Sequence, residues 1–200
     1  MPDTLLFARH GQTEWNLQRR RQGQLDSDLT ASGVADVTSI ADTARRGGVD
    51  VVYSSPLGRA RATATLAAAT TGAELVVLED LAEVHHGEFA GFTDAEIQDR
   101  FGEQWGRRAA ELYTWRFPGG ESYEDADRRA AQALADVTAG PGQVALIVSH
   151  EMIGRMLVGR ALGLPPAEAL KLSLRHGDVY RLVRGRPLTV WELPQDGRTE

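Results

Sequence analysis

Arg9, His10 and Gly11 follow a short apolar run at residues 5–8, which places a guanidinium and an imidazole where a buried strand would emerge into a loop. The pair suits phosphate chemistry. The planar fork of an arginine can hold two phosphate oxygens, a neutral imidazole can attack phosphorus, and a glycine lets backbone approach the substrate. An Arg-His-Gly triplet is short, and its company decides what it means.

That company depends on the elements around it. Residues 5–8, 50–53, 75–78 and 143–148 read as strands, and helical spacing follows them: Val34, Val37, Ala41 and Ala44; residues 59–71; Ala126, Ala130, Leu134 and Val137; Ile153, Met156, Leu157 and Ala161. Gly47-Gly48 and Gly140-Pro141-Gly142 end two of these helices. Residues 93–113 are helical but irregular, and residues 179–183 and 188–193 read as a closing hairpin. Alternating strands and helices imply an α/β fold with a mainly parallel, doubly wound sheet, helices on both faces and antiparallel edge strands. Ligands of such sheets bind outside the strand carboxyl ends. His10, Ser54-Ser55 and His150 all lie just past predicted strands, so three segments converge on one edge.

With 200 residues and 42% hydrophobic content, one domain over residues 1–200 is expected, with a cap-like helical insertion at about 84–122. The apolar runs are strand-sized and no secretion signal is evident, so a cytoplasmic protein without membrane association is expected. The chain has no cysteine, which excludes cysteine-nucleophile phosphatases and thiolate zinc sites. A net charge of −6 argues against nucleic acid as a partner. Five histidines without compact spacing give no zinc motif, and neither a metal nor another cofactor is expected.

Residues 9–16 (RHGQTEWN), 54–60 (SSPLGRA), Leu81-Ala82-Glu83 and Val148-Ser149-His150, in that order, resemble the histidine phosphatase superfamily, the phosphoglycerate-mutase-like fold. Residues 22–26, 87–91 and 119–122 resemble its connecting motifs, so the likeness covers most of the chain. The resemblance implies that His10 is the nucleophile and that Arg9, Arg59 and His150 surround the transferred phosphoryl group. Two guanidiniums and a protonated imidazole could then replace Mg²⁺ in balancing charge on the equatorial oxygens. His10 must be neutral to attack, whereas a cationic His150 would serve better. Glu83, by the same resemblance, gives a proton to the leaving alkoxide and later accepts one from water.

Substrate-binding candidates are Asn16 as an amide donor, Gln22 and Gly23 as side-chain and backbone donors, His86 near the leaving group, and His176 as a pocket-lining residue. Glu151 stands where many members have Gly, and Gln12 where many have Glu, and both bear on substrate choice. Arg19–Arg21 could form a basic rim, and Trp105, Tyr113, Trp115 and Phe117 could roof the pocket or pack a core.

Residues 26–30 match Asp-x-Asp-x-Thr of the Mg²⁺-dependent aspartyl phosphatases, but no apolar strand precedes them. The expected function is a metal-independent phosphomonoesterase acting on a small anionic phosphorylated metabolite. Cofactor-dependent phosphoglycerate mutase activity is one alternative, although the basic-tyrosine segment of those mutases is missing. A non-catalytic phospholigand-binding module is another.

Overall fold

Odd and even residues of the central strands separate onto two cores, as strands covered on both faces require. In β1 (Thr4–Arg9), Leu5 and Phe7 join one cluster and Leu6 and Ala8 the other; β2 (Val51–Ser54) and β4 (Val144–Ser149) repeat this alternation. The remaining strands are β3 (Glu74–Val77), β5 (Val179–Val183) and β6 (Thr189–Val190), in a computed structural model that describes residues 2–190. The sheet order is β3-β2-β4-β1-β5-β6, with β1 to β4 parallel, β5 antiparallel to β1 and β6 antiparallel to β5. This is the expected doubly wound α/β sheet with antiparallel strands at one edge. The predicted strand over 188–193 is seen as Thr189–Val190, and its remainder lies outside the described residues.

On one face lie α2 (Ala31–Arg46) and α3 (Gly58–Thr71), where Ala41, Ala44, Ala60, Ala64 and Ala67 are small enough to bring the helices close. The predicted stripe on α2 is one position wrong at its start: Val34 is 57% exposed, and Gly33 faces inward. The reason is a backbone crossing. A Cβ on Gly33 would sit 1.9 Å from the Gln12 carbonyl oxygen, and one on Gly11 would sit 2.4 Å from that of Gly33. Gly11 is therefore required by helix packing rather than by approach of a substrate.

The other face carries α5 (Tyr123–Ala139) and α6 (Glu151–Leu162), with the short α1 (Glu14–Leu17) and α7 (Pro166–Ala169) at the periphery. Between β3 and α5, α4 (Asp94–Ala110) begins at a Thr93–Glu96 capping box and is broken at Phe101 (φ −130°, ψ 25°). Beneath it Phe89 meets Phe101, Trp105, Trp115 and Phe117 at 4.9–5.9 Å between ring centres. These aromatics pack a core. Arg20 and Arg21 pair with Glu96 and Asp94 in the first turn of α4, so they tie the preceding loop to that helix. Among the described residues no helix is long and apolar enough to cross a membrane.

Candidate active site

The carboxyl ends of β1, β2 and β4 open into a cavity of about 970 Å³ whose wall includes Arg9, His10, Asn16, Gln22, Gly23, Arg59, Glu83, His86, Glu151 and His176. His150 lies behind this wall, fully buried, with its ring 5.1 Å from that of His10. A second cleft of about 810 Å³ opens at the other end of the sheet, between Pro2, Leu134 and Arg186, and contains no histidine. The larger, polar cavity is where the predicted groups meet.

His10 is the first residue past β1, and its amide donates to the Ser149 carbonyl. Its ring is fixed at both nitrogens. Arg59 Nε, always a donor, faces Nε2 at 3.1 Å, so Nε2 must accept; Nδ1 then carries the proton and donates to the Gly11 carbonyl at 2.8 Å. Burial first, then the charges of Arg59 and Arg9, push its pKa well below the usual imidazole value. The result is a neutral ring with the Nε2 lone pair turned toward the arginine.

Arg59 enters from the first turn of α3 and is almost wholly consumed by protein acceptors. Nη1 donates to the Leu25 carbonyl (2.7 Å) and to Asp26 (2.6 Å), and Nη2 to the Gly23 carbonyl (2.8 Å). Together with Nε these occupy four of the five guanidinium N–H groups, leaving one Nη2–H for a ligand. Asp26 also accepts from the Gly58 and Arg59 amides, so this aspartate caps α3 and positions an arginine. Thr30 N-caps α2. The Asp-x-Asp-x-Thr match is thereby explained without aspartyl phosphate chemistry.

Arg9 binds Glu151 (2.7 Å) and the Leu174 carbonyl, and Glu151 also pairs with Arg155. Glu151 thus sets the position of one phosphate-holding candidate. His150 contacts Ser55 Oγ through Nε2 at 2.7 Å. Burial, then Arg59, His10 and Arg9, push its pKa well below the ordinary value. The expectation of a cationic His150 is corrected: its protein neighbours favour the neutral ring, and the countercharge must come from the phosphoryl group.

Glu83 is buried at the positive end of α6, whose N-cap is His150. Its carboxyl oxygens accept from the amides of Val84 (2.9 Å), Met152 (3.1 Å) and Ile153 (3.1 Å). The acid candidate is therefore oriented by backbone from two segments.

Asn16 spends Oδ1 on the Thr13 cap of α1. Gln22 is buried, with Nε2 on Thr13 Oγ1 (2.6 Å) and Oε1 near Ser27, so its side chain orders the loop. Gly23 has φ +55° and offers its carbonyl to Arg59. His176 donates from Nδ1 to the His10 carbonyl (2.7 Å), fixing the backbone of the candidate nucleophile, and burial lowers its pKa. His85 is an exposed turn residue that accepts the Gly87 amide.

His86 is 6% exposed, meets the Phe117 ring at 4.7 Å in a tilted contact, and neither ring nitrogen has a hydrogen-bond partner among the described residues. Burial, then Arg21 and Arg108, lower its pKa to about 3. Sequence reasoning missed Arg108, Tyr123 and Arg155 in the same wall. Arg108 lies 4.7 Å from the Trp105 ring centre, which Arg21 also approaches at 4.8 Å, and donates to Tyr123 Oη. It has no carboxylate partner among the described residues, and its Nε is buried and unpaired. No group of three or more histidine or carboxylate side chains suited to a metal ion occurs among the described residues.

Comparison with known proteins agrees with this arrangement. The model of the histidine phosphatase superfamily (branch 1) matches residues 5–195. A protein of Enterobacter sp. (strain 638) named "Probable phosphoglycerate mutase GpmB" is 35% identical over 183 residues, covering 88% of this chain and 82% of that protein. Among solved structures, a mycobacterial glucosyl-3-phosphoglycerate phosphatase in complex with VO3 is 30% identical with a TM-score of 0.78 and 90% of each chain covered. The alpha-ribazole phosphatase of Shigella flexneri shares the fold at a TM-score of 0.84, with 22% identity and 96% of each chain covered. A phosphoserine phosphatase of Entamoeba histolytica in complex with 3-phosphoglyceric acid is 26% identical, with a TM-score of 0.78 and 94% and 95% of the two chains covered. A match of this extent, on a cavity built around His10, leaves one conclusion: the chain belongs to the histidine phosphatase superfamily (branch 1) and is an enzyme of the phosphatase class.

Proposed function

We propose that the protein is a metal-independent phosphomonoesterase that hydrolyses a small anionic phosphorylated metabolite through a phosphohistidine on His10. The observation that carries this reading is the fixed, neutral His10 ring with Nε2 against Arg59 on the cavity wall. The incoming phosphoryl group takes the place of the Arg59 Nε–H at the Nε2 lone pair; Nε2 then attacks phosphorus, the ester P–O bond breaks, and Glu83 protonates the departing oxygen. Arg9, the remaining Nη2–H of Arg59, and a His150 that gains its proton beside the phosphoryl dianion balance the charge on the equatorial oxygens. Glu83, now a carboxylate, then takes a proton from the water that displaces phosphate from Nε2.

The finer reading concerns the leaving group. Among the described residues Arg108 lacks a carboxylate partner and the His86 ring nitrogens lack a hydrogen-bond partner, which favours a substrate whose leaving group carries a second anion or a hydroxyl. The named activities of the solved relatives, on glucosyl-3-phosphoglycerate and phosphoserine, are consistent with such a group. The segment at 84–122 acts as the cap that selects it. A cytoplasmic location belongs to the same reading, in keeping with a cysteine-free chain.

The name of the 35%-identical relatives favours phosphoglycerate mutase activity as the second reading. The test is phosphate release from a panel of phosphomonoesters, with isomerisation of phosphoglycerate measured in parallel and excess chelator present. Release that survives chelator supports the phosphatase. Isomerisation faster than release selects the mutase, and loss with chelator restored by Mg²⁺ removes the metal-independent mechanism.

A further inference from the structure

The backbone that carries Glu83 is gripped from outside the cavity by one ion pair. Arg129, on α5, donates from Nη1 to the carbonyls of Asp80 (2.9 Å) and Ala82 (3.2 Å), just before Glu83. Its Nε and Nη2 hold Glu121 in a two-point pair at 3.1 and 2.6 Å. Glu121 in turn accepts the amide of His85 (2.8 Å), just after Glu83, and its own amide donates to the His85 carbonyl (3.0 Å). The pair therefore fixes residues 80, 82 and 85 with one guanidinium and one carboxylate.

Two glycines permit this close stitching. A Cβ on Gly120 would lie 2.2 Å from the His85 carbonyl oxygen, and one on Gly87 would lie 1.9 Å from that of Pro118. Neither Glu121 nor Arg129 lines the catalytic cavity, so neither touches substrate. A half-buried, multiply bonded pair needs a reason, because removing water from two charges costs free energy that a surface pair would not lose.

We infer that Glu121 and Arg129 are positioning residues for Glu83, holding the proton donor in line with the leaving oxygen and coupling it to the segment that closes the cap. This rests on the reading of Glu83 as the proton donor. A general acid works only within hydrogen-bond reach of the oxygen it protonates, and a misplacement of about 1 Å can cost on the order of 10²-fold in rate. A displaced Glu83 should slow poor leaving groups and spare good ones, because a phenolate departs with little protonation.

The test is single-turnover phosphorylation of the enzyme by an alkyl and by an aryl phosphate, for Arg129→Met, Arg129→Lys and Glu121→Gln, each alone and combined with Glu83→Gln. The expected result is a loss of roughly 10–10²-fold on the alkyl substrate, within about threefold of wild type on the aryl one by the same argument. Half-saturating concentrations should stay unchanged, and no further loss should appear in the Glu83→Gln background. Arg129→Lys should share the defect, since one ammonium cannot hold a carboxylate and two carbonyls in that geometry. Equal losses on both substrates, losses that add to Glu83→Gln, or full activity of Arg129→Lys would overturn the inference. Where Arg129→Met fails to fold, the near-isosteric Glu121→Gln decides by the same criteria. If Glu83→Gln itself shows no leaving-group selectivity, the acid reading fails and takes this inference with it; if it does and the pair variants do not, only the inference fails.

Discussion

Arg59 Nε stands 3.1 Å from His10 Nε2, and that one contact fixes the tautomer of the imidazole and leaves Nε2 as its unprotonated nitrogen. An obligate donor at Nε2 places the ring proton on Nδ1, where the Gly11 carbonyl receives it. Arg59→Lys removes this donor and strands the Gly23 and Leu25 carbonyls that the guanidinium satisfies. The expected loss in kcat is on the order of 10²–10³-fold, as for deletion of one preorganised donor to transition-state charge. Steady-state turnover of an aryl phosphate measures it, and a variant within threefold of wild type would show that Arg59 is a structural tie.

Glu83 meets three backbone amides, two of them from the first turn of α6. Glu83→Gln keeps the shape and removes the transferable proton. Alkyl phosphate turnover should fall by roughly 10²–10⁴-fold, and phosphorylation by an aryl phosphate should fall far less. Identical factors on the two substrates would mark Glu83 as a helix-capping residue only.

Arg108 and His86 should discriminate among substrates. Losing a hydrogen bond to a charged group costs about 1.5–3 kcal/mol, or roughly 10–10²-fold. Arg108→Met and His86→Ala should each lower kcat/KM by about that factor for phosphoserine or phosphoglycerate, in line with the same principle, and leave phenyl phosphate nearly unaffected. Uniform losses would reduce both residues to supports of the cap.

His86 also ties stability to pH. Its folded pKa of about 3 lies below its unfolded value of 6.5, so the unfolded chain binds more protons between those values. The contribution is fully present above pH 6.5 and is lost as pH falls toward 3, amounting to about 2 kcal/mol of lost stability at pH 5. Urea unfolding at pH 8 and pH 5 should show wild type losing more than His86→Gln by about that amount. Equal losses would mean that His86 is solvated or already protonated in the native state.

Much of the candidate catalytic set was legible because its groups sit where an apolar run ends. His10 and His150 follow β1 and β4 directly, and Arg59 opens α3 two residues beyond Pro56-Leu57. Arg108 was illegible: it lies three residues beyond Trp105 on the same side of α4, and a lone cation near a helix end reads in a sequence as solvent-facing. The grip of Arg129 on Asp80 and Ala82 joins residues nearly fifty positions apart through carbonyls, which every residue has. Val34 was misassigned because hydrophobic spacing cannot see that two backbones cross at Gly11 and Gly33. The lowered pKa of His150 arises from its burial first and then from Arg59, His10 and Arg9, information present only once the chain is folded.

The most direct measurement is the identity of the phosphoenzyme atom. Rapid quench with a labelled aryl phosphate, followed by mass spectrometry and ³¹P NMR of the trapped protein, should place phosphate on Nε2 of His10. The bond should be labile in acid and stable in base, and no label should appear in His10→Ala. Phosphate on Asp26, on any other carboxylate, or retained by His10→Ala would contradict the phosphohistidine mechanism.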